Sequence, residues 1–228
     1  MTQWAFVSDI HGNYRALMRA AVLCEARGAD RFVCLGDVVG RGDPDSCVDW
    51  VSEHAEIVVV GNRDVDHLDL LTPDRREVVR AWPKEACASN FVVSHGDRSL
   101  HRELAASEEK RGFIRPIAYM ARTGARLWFF GHTHRSRLWI SDGPGIEGLD
   151  PTCCYLTGGA GYVVNVGTTG KPMGGRGPAS VTLYDDAVGL LRAFDLGDGP
   201  LYSKYPKTTV GSASMGKTHP MMEAHQPS

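Results

Sequence analysis

Along the first half of the chain, short apolar runs alternate with longer segments in which apolar residues recur at helical spacing. The runs WAFV at 4–7, FVCL at 32–35, IVVV at 57–60, FVV at 91–93 and LWFF at 127–130 are rich in β-branched and aromatic residues and too short for helices, so they predict strands. Between the first two, Leu17, Ala20, Ala21 and Cys24 fall at i, i+3, i+4 and i+7, an amphipathic helix over 13–26 that Gly28 can close. A second helix over 44–54 buries Cys47, Val48 and Val51, with Asp43 or Asp45 near its start, where a carboxylate suits the helix dipole. Residues 65–88 read as short helices broken by Pro73 and Pro83, and 99–123 as a further helix. Strands alternating with helices predict a parallel sheet with right-handed crossovers.

From Leu138 onward the texture changes. RLWI, CCYLT, YVVNVG, SVTLYD and GLLRAF are short runs separated by glycine-rich turns, which predicts antiparallel strands. The expected architecture is an α/β fold in which a second sheet stacks on the first, with helices outside, as one domain over 1–197. Residues 198–228 carry few large apolar side chains and much Gly, Ser, Pro and Lys, and are expected to form a flexible tail, with His219 and His225 solvated.

Composition narrows the classes of function. With 25 basic against 27 acidic side chains the net charge is −2, so no global positive field recruits nucleic acid. No stretch approaches the roughly 18 apolar residues that span a bilayer, and the opening residues do not resemble a secretory signal, so a soluble cytoplasmic protein is expected. The pattern is equally compatible with a monomer and a homo-oligomer. Six cysteines form no C-x-x-C pair and sit mostly within apolar segments, as reduced core thiols do. Cys153 and Cys154 are adjacent on a strand and should point to opposite faces.

The polar residues that end the apolar runs carry the chemistry. Asp9 and His11 follow the first, Asp37 the second, Asn62 the third, His95 the fourth, and His132 and His134 the fifth. In a parallel sheet the carboxyl ends of strands share one edge, where ligands bind, so these residues should converge. Two carboxylates, one amide and four imidazoles make seven nitrogen or oxygen donors without a thiolate, the inventory for divalent ions such as Mn, Fe, Co, Ni or Zn. One carboxylate can bridge two cations about 3.5 to 4 Å apart.

The series SDIHGN, GDVVGRGD, GNRD, SHGD and GHTH, spanning residues 4–134, resembles the calcineurin-like metallophosphoesterase family. NVGTTGKPMGGRGPAS is similar to the closing segment of that family's small bacterial and archaeal phosphodiesterase-like branch, extending the match to about residue 185. The resemblance implies a double β-sheet sandwich flanked by helices, with 1–197 as the metallophosphoesterase domain. It also implies two divalent ions, Mn foremost and Fe, Ni, Zn, Co or Mg as alternatives. One ion would be held by Asp9, His11 and His134, the other by Asn62, His95 and His132, with Asp37 bridging. A hydroxide between the ions would attack phosphorus in a phosphodiester or phosphomonoester substrate, so Asp37, Asn62, Arg63 and His95 would be the catalytic residues.

Two arginines set the chain apart within that resemblance. Much of the family has histidine where Arg63 stands, and a guanidinium with a pKa above 12 cannot act as a general acid near neutral pH. Arg63 can instead clamp two phosphoryl oxygens, or simply pair with Asp64 or Asp66. Arg41 is either a second phosphate contact or a solvated turn residue. Lys171 and Arg176 lie in a loop bordering the expected pocket, and Asn165 and Gly167 are expected to hold backbone around it.

Other functions share these motifs: a non-catalytic scaffold, a Ser/Thr protein phosphatase, a dinucleoside polyphosphate hydrolase and a nuclease. All seven donors are present, which favours an enzyme. The acidic balance and the missing histidine at position 63 argue against nucleic acid as a partner.

Overall fold

The computed structural model describes residues 2–88, 90–96, 120, 124–141, 147–149, 152–156, 158–172 and 178–197. The helix expected over 99–123, apart from Met120, and the tail expected over 198–228 lie outside the described residues.

Among the described residues, two six-stranded mixed sheets form the centre. The first contains β1 (Gln3–Val7), β2 (Arg31–Cys34), β3 (Ala55–Val58), β9 (Cys153–Tyr155), β11 (Ser180–Asp185) and β12 (Leu190–Asp195), in the order β3-β2-β1-β11-β12-β9. The second contains β4 (Glu85–Ala88), β5 (Phe91–Ser94), β6 (Leu127–Phe130), β7 (Ser136–Ser141), β8 (Glu147–Leu149) and β10 (Gly161–Val166), in the order β4-β5-β6-β10-β7-β8. β1 pairs parallel with β2, and β2 with β3, while β5, β6 and β10 are parallel in the other sheet.

Period-two alternation explains why the apolar runs are unbroken. In β1, Trp4 and Phe6 face the second sheet, while Ala5 and Val7 face the helices. In β6, Leu127 and Phe129 face inward, and Trp128 and Phe130 form an outer cluster with Met120, Val92, Trp139 and Val163. Both faces of these strands are buried, so neither position is free to be polar. The two sheets meet through stacked Phe6 and Phe129, with ring centroids 4.0 Å apart, and Phe91 edge-on to Phe6 at 5.6 Å.

Helix α1 (Tyr14–Ala26) is capped by Asn13, whose side chain accepts from the Ala16 amide at 3.1 Å. Helix α2 (Pro44–His54) begins with proline after Asp43, whose carboxylate accepts from the Ser46 amide at 3.4 Å. Both helices pack their apolar stripes on the outer face of the first sheet.

The structure corrects several expectations. The five early strands do not form one sheet: β5 and β6 belong to the second, and the later antiparallel strands are shared between the two. Sequential alternation fixes that strands are parallel but not which parallel set each one joins. Residues 65–88 hold the end of α3 (Asn62–Asp66), a 3-10 turn at Leu68–Leu70 and α4 (Pro73–Arg80), but EACA after Pro83 is strand β4. Its antiparallel pairing with β5 overrides the helix propensity of Glu and Ala. β8 carries no apolar run that would have announced it. Cys24, Cys34 and Cys47 are buried as expected, whereas Cys87 and Cys153 are exposed and Cys154 half-buried, because β4 and β9 are edge strands.

A candidate metal centre

Main-chain hydrogen bonds zip the strand-end loops together. The amides of Asp9, His11 and Gly12 donate to the carbonyls of Gly36, Asp37 and Val38 at 3.0, 2.8 and 2.8 Å. Gly131 donates to His95 O at 3.1 Å, and Thr169 and Gly170 donate to Ser8 O and Asp9 O at 2.7 and 3.1 Å. Among the described residues, every non-glycine residue with left-handed φ is one of the predicted donors: Asp9, His11 and Asp37 at 52°, His132 at 69° and His134 at 58°. Such backbone costs on the order of 1 kcal/mol or more per residue and persists where its surroundings enforce it, commonly at functional sites.

The seven predicted side chains converge as two groups. In the first, Asp9 Oδ1 lies 3.1 Å from His134 Nε2 and 3.8 Å from His11 Nε2, and the two Nε2 atoms are 3.3 Å apart. In the second, His132 Nδ1 lies 3.0 Å from Asn62 Oδ1 and 3.3 Å from His95 Nε2. Asp37 stands between them, with Oδ1 3.4 Å from His95 Nε2 and Oδ2 3.7 Å from His11 Nε2. The ligand atoms of Asp9, Asp37 and His95 also lie within 4.8 Å of one another.

Hydrogen bonds behind the site aim these atoms. His134 Nδ1 donates to Lys171 O and His95 Nδ1 to Leu35 O, both at 2.7 Å, which leaves each Nε2 facing the centre. Asp9 Oδ2 accepts from Ser8 Oγ at 2.7 Å and from the His132 amide at 2.9 Å. Its Oδ1 is buried without a hydrogen-bond partner, although the imidazole nitrogens surround it. A buried, orphaned carboxylate oxygen among nitrogen lone pairs is an arrangement that a cation satisfies. Asp9, His11, Asp37, His95 and His134 therefore fit a divalent metal.

The charges are strongly coupled. Burial alone would raise the Asp9 carboxyl, but the imidazoles of His11 and His134 against it, with the charge of His95, hold it well below the usual carboxylate range. Burial works to lower His95, yet the Asp37 carboxylate and the charge of Asp9 raise it to about 9. His134 is raised because Asp9 outweighs its burial, whereas burial and the charge of His95 lower His132.

The profile of the calcineurin-like phosphoesterase family matches residues 4–136, more than half of the sequence and all five strand-end motifs. The chain belongs to this family. The chain is 25% identical over 201 residues to an uncharacterized protein of Methanocaldococcus jannaschii, covering 80% of this chain and 82% of that one. Its fold is shared with a metallophosphoesterase from Sphaerobacter thermophilus at a TM-score of 0.65, 22% identity and coverage of 84% and 87% of the two chains. An archaeal phosphodiesterase has the same fold at a TM-score of 0.52 and 13% identity, covering 85% and 99%.

The other predicted residues take varied places. Arg63 is exposed, and its guanidinium lies 3.8 Å from Asp66, also exposed, a pairing that adds little stability. Asp64 does not pair with it. Arg41 is exposed on the loop beside Gly12. Lys171 contributes its carbonyl to His134 while its side chain is exposed, and Arg176 lies outside the described residues. Asn165 holds backbone as expected, donating to Gly131 O and Thr133 Oγ1, both at 2.8 Å. Ser8 and Thr168, whose Oγ1 donates to Asp9 O at 3.0 Å, carry no mark in the sequence that would single them out. Small polar residues beside a motif carry no periodic signal, so their contacts emerge only from the assembled loops.

Proposed function

We propose that the protein is a binuclear metal-dependent hydrolase of phosphodiester or phosphomonoester bonds. The observation that carries this reading is the Asp37 carboxylate, which presents one oxygen to each of two donor groups. Asp9, His11 and His134 would hold one divalent ion and Asn62, His95 and His132 the other, with Asp37 shared. Two such ions, Mn foremost and Fe, Co, Ni, Zn or Mg as alternatives, would supply charge for the phosphoryl oxygens and lower the pKa of a water so that it could act as nucleophile near neutral pH.

The chain's own groups then orient and bind. The fixed Nδ1 donors of His95 and His134 keep their Nε2 atoms on the centre, and burial of Asp9 keeps bulk water from its carboxylate. Arg63 clamps phosphoryl oxygens from the rim, with Arg41 as a second contact, and neither donates a proton to the leaving group. Free thiols, three of them buried, suit a reducing cytoplasmic setting, and among the described residues no helix is long and apolar enough to cross a membrane.

Metal-stripped protein reloaded separately with Mn, Ni, Zn or Mg, and assayed on a diester and a monoester sharing one leaving group, tests the reaction. Turnover is expected to vanish on stripping and return with Mn, with the diester preferred. Failure on both substrates under every metal would point to a non-catalytic scaffold instead.

Arg63→Ala is expected to lower kcat/KM by roughly 10- to 100-fold, the scale of losing one charged contact to a phosphoryl group in the transition state. Metal content measured by elemental analysis should be unchanged. An unaltered kcat/KM would remove the clamp.

A further inference from the structure

Asp64 is fully buried and follows Arg63 directly. Its carboxylate takes three main-chain donors: Oδ2 accepts from the amides of Asp37 and Gly61 at 2.9 and 2.8 Å, and Oδ1 from the Val39 amide at 2.8 Å. Those amides belong to two loops. Asp37 and Val39 follow β2, whereas Gly61 follows β3 and leads straight into Asn62. In return, the Arg63 amide donates to Asp37 Oδ1 at 2.7 Å. Each carboxylate thus holds the other's strand-end loop.

The two loops are packed without slack at this joint. A Cβ on Gly61 would fall 2.2 Å from Asp37 Oδ1 and 2.3 Å from Asp37 N, so only glycine lets the loops close. Asp37 also sits in left-handed backbone at φ 52°, a conformation that needs outside support. A carboxylate accepting three N–H groups gives charge-assisted bonds that neutral side chains do not match. In the first donor group the Asp9 carboxylate is held by Ser8 and the His132 amide, its carbonyl by Thr168, and His134 by Lys171, while the Asp9 and His11 amides donate to Gly36 O and Asp37 O in main-chain bonds that do not involve the Asp64 side chain.

We infer that Asp64 is a positioning residue that fixes Asp37 and Asn62 relative to one another, and so governs filling of the Asn62–His95–His132 group and the sharing of Asp37, while the Asp9–His11–His134 group does not depend on it. This rests on the binuclear reading above. Asp64 acts through Asp37 and Asn62 and does not touch substrate.

Asp64→Asn conserves shape but turns an NH₂ group toward at least one of the three amides, leaving donors face to face. The test is Mn titration of the metal-stripped wild-type and variant chains, read by calorimetry, elemental analysis and electron paramagnetic resonance, with circular dichroism and melting curves to show folding. The wild-type protein is expected to take up two Mn ions and give the spectrum of a coupled pair. The variant should bind the first ion normally and the second about 10- to 100-fold more weakly, the usual effect of losing a group that orients a ligand. At the same loading its spectrum should be that of isolated Mn.

If Asp64→Asn does not fold, Asp64→Ser, smaller and keeping one acceptor, replaces it. A folded variant that melts earlier yet keeps two tightly bound, coupled ions would show a merely structural role and overturn the inference. Wild-type protein that never binds a second Mn would instead sink the binuclear reading, and the inference with it.

Discussion

Asp37→Asn is expected to lower kcat by a factor on the order of 10³ or more, because it removes the one carboxylate shared by both donor groups. The amide retains an oxygen that can accept the Arg63 N–H now bound at 2.7 Å, so the loop after β3 should keep its place. What is lost is negative charge, and an NH₂ group turned toward either imidazole repels a cation there. Metal content should fall from two equivalents towards one, while the melting temperature of the stripped protein moves little. Elemental analysis alongside steady-state kinetics checks both halves. Full activity with two ions retained would dismiss the shared role of Asp37.

The second large effect concerns protons in the metal-stripped protein. His95 is held at about 9 against an ordinary value of 6.5, so its proton stabilises the folded chain. That contribution is complete below about pH 6.5, shrinks as pH rises through the interval, and is gone above about pH 9. The stripped protein should therefore melt at progressively lower temperature across this window. A metal must displace the same proton, so Mn affinity should rise about tenfold per pH unit over the same range. Calorimetric melting of stripped and Mn-loaded samples reads both slopes. A stripped protein with a flat profile would mean that His95 is uncharged.

Much of the fold was legible because burial on both faces forces unbroken apolar runs, and each of the five early runs became or fed a strand. The donors were legible for a related reason: aspartate, histidine and asparagine at the ends of buried strands have no packing role there. Sheet membership was not legible, since WAFV and FVV look alike whichever sheet they join. Strand β4 was missed because its alternating exposure comes from lying at an edge, and EACA alone favours helix. Asp64 stood in the sequence only as one of two carboxylates open to pairing with Arg63, because an isolated carboxylate gives no sign of whether it meets water or three amides. Only loop closure decides that.

The division of the early strands has a mechanical consequence. Asp9, His11, Asp37 and Asn62 hang from the first sheet, whereas His95, His132 and His134 hang from the second, so either cluster straddles the seam between the layers. Sliding one layer past the other would pull both clusters apart together. Ions seated there would act as rivets across the sandwich, so that filling the site would also stiffen the seam between the layers.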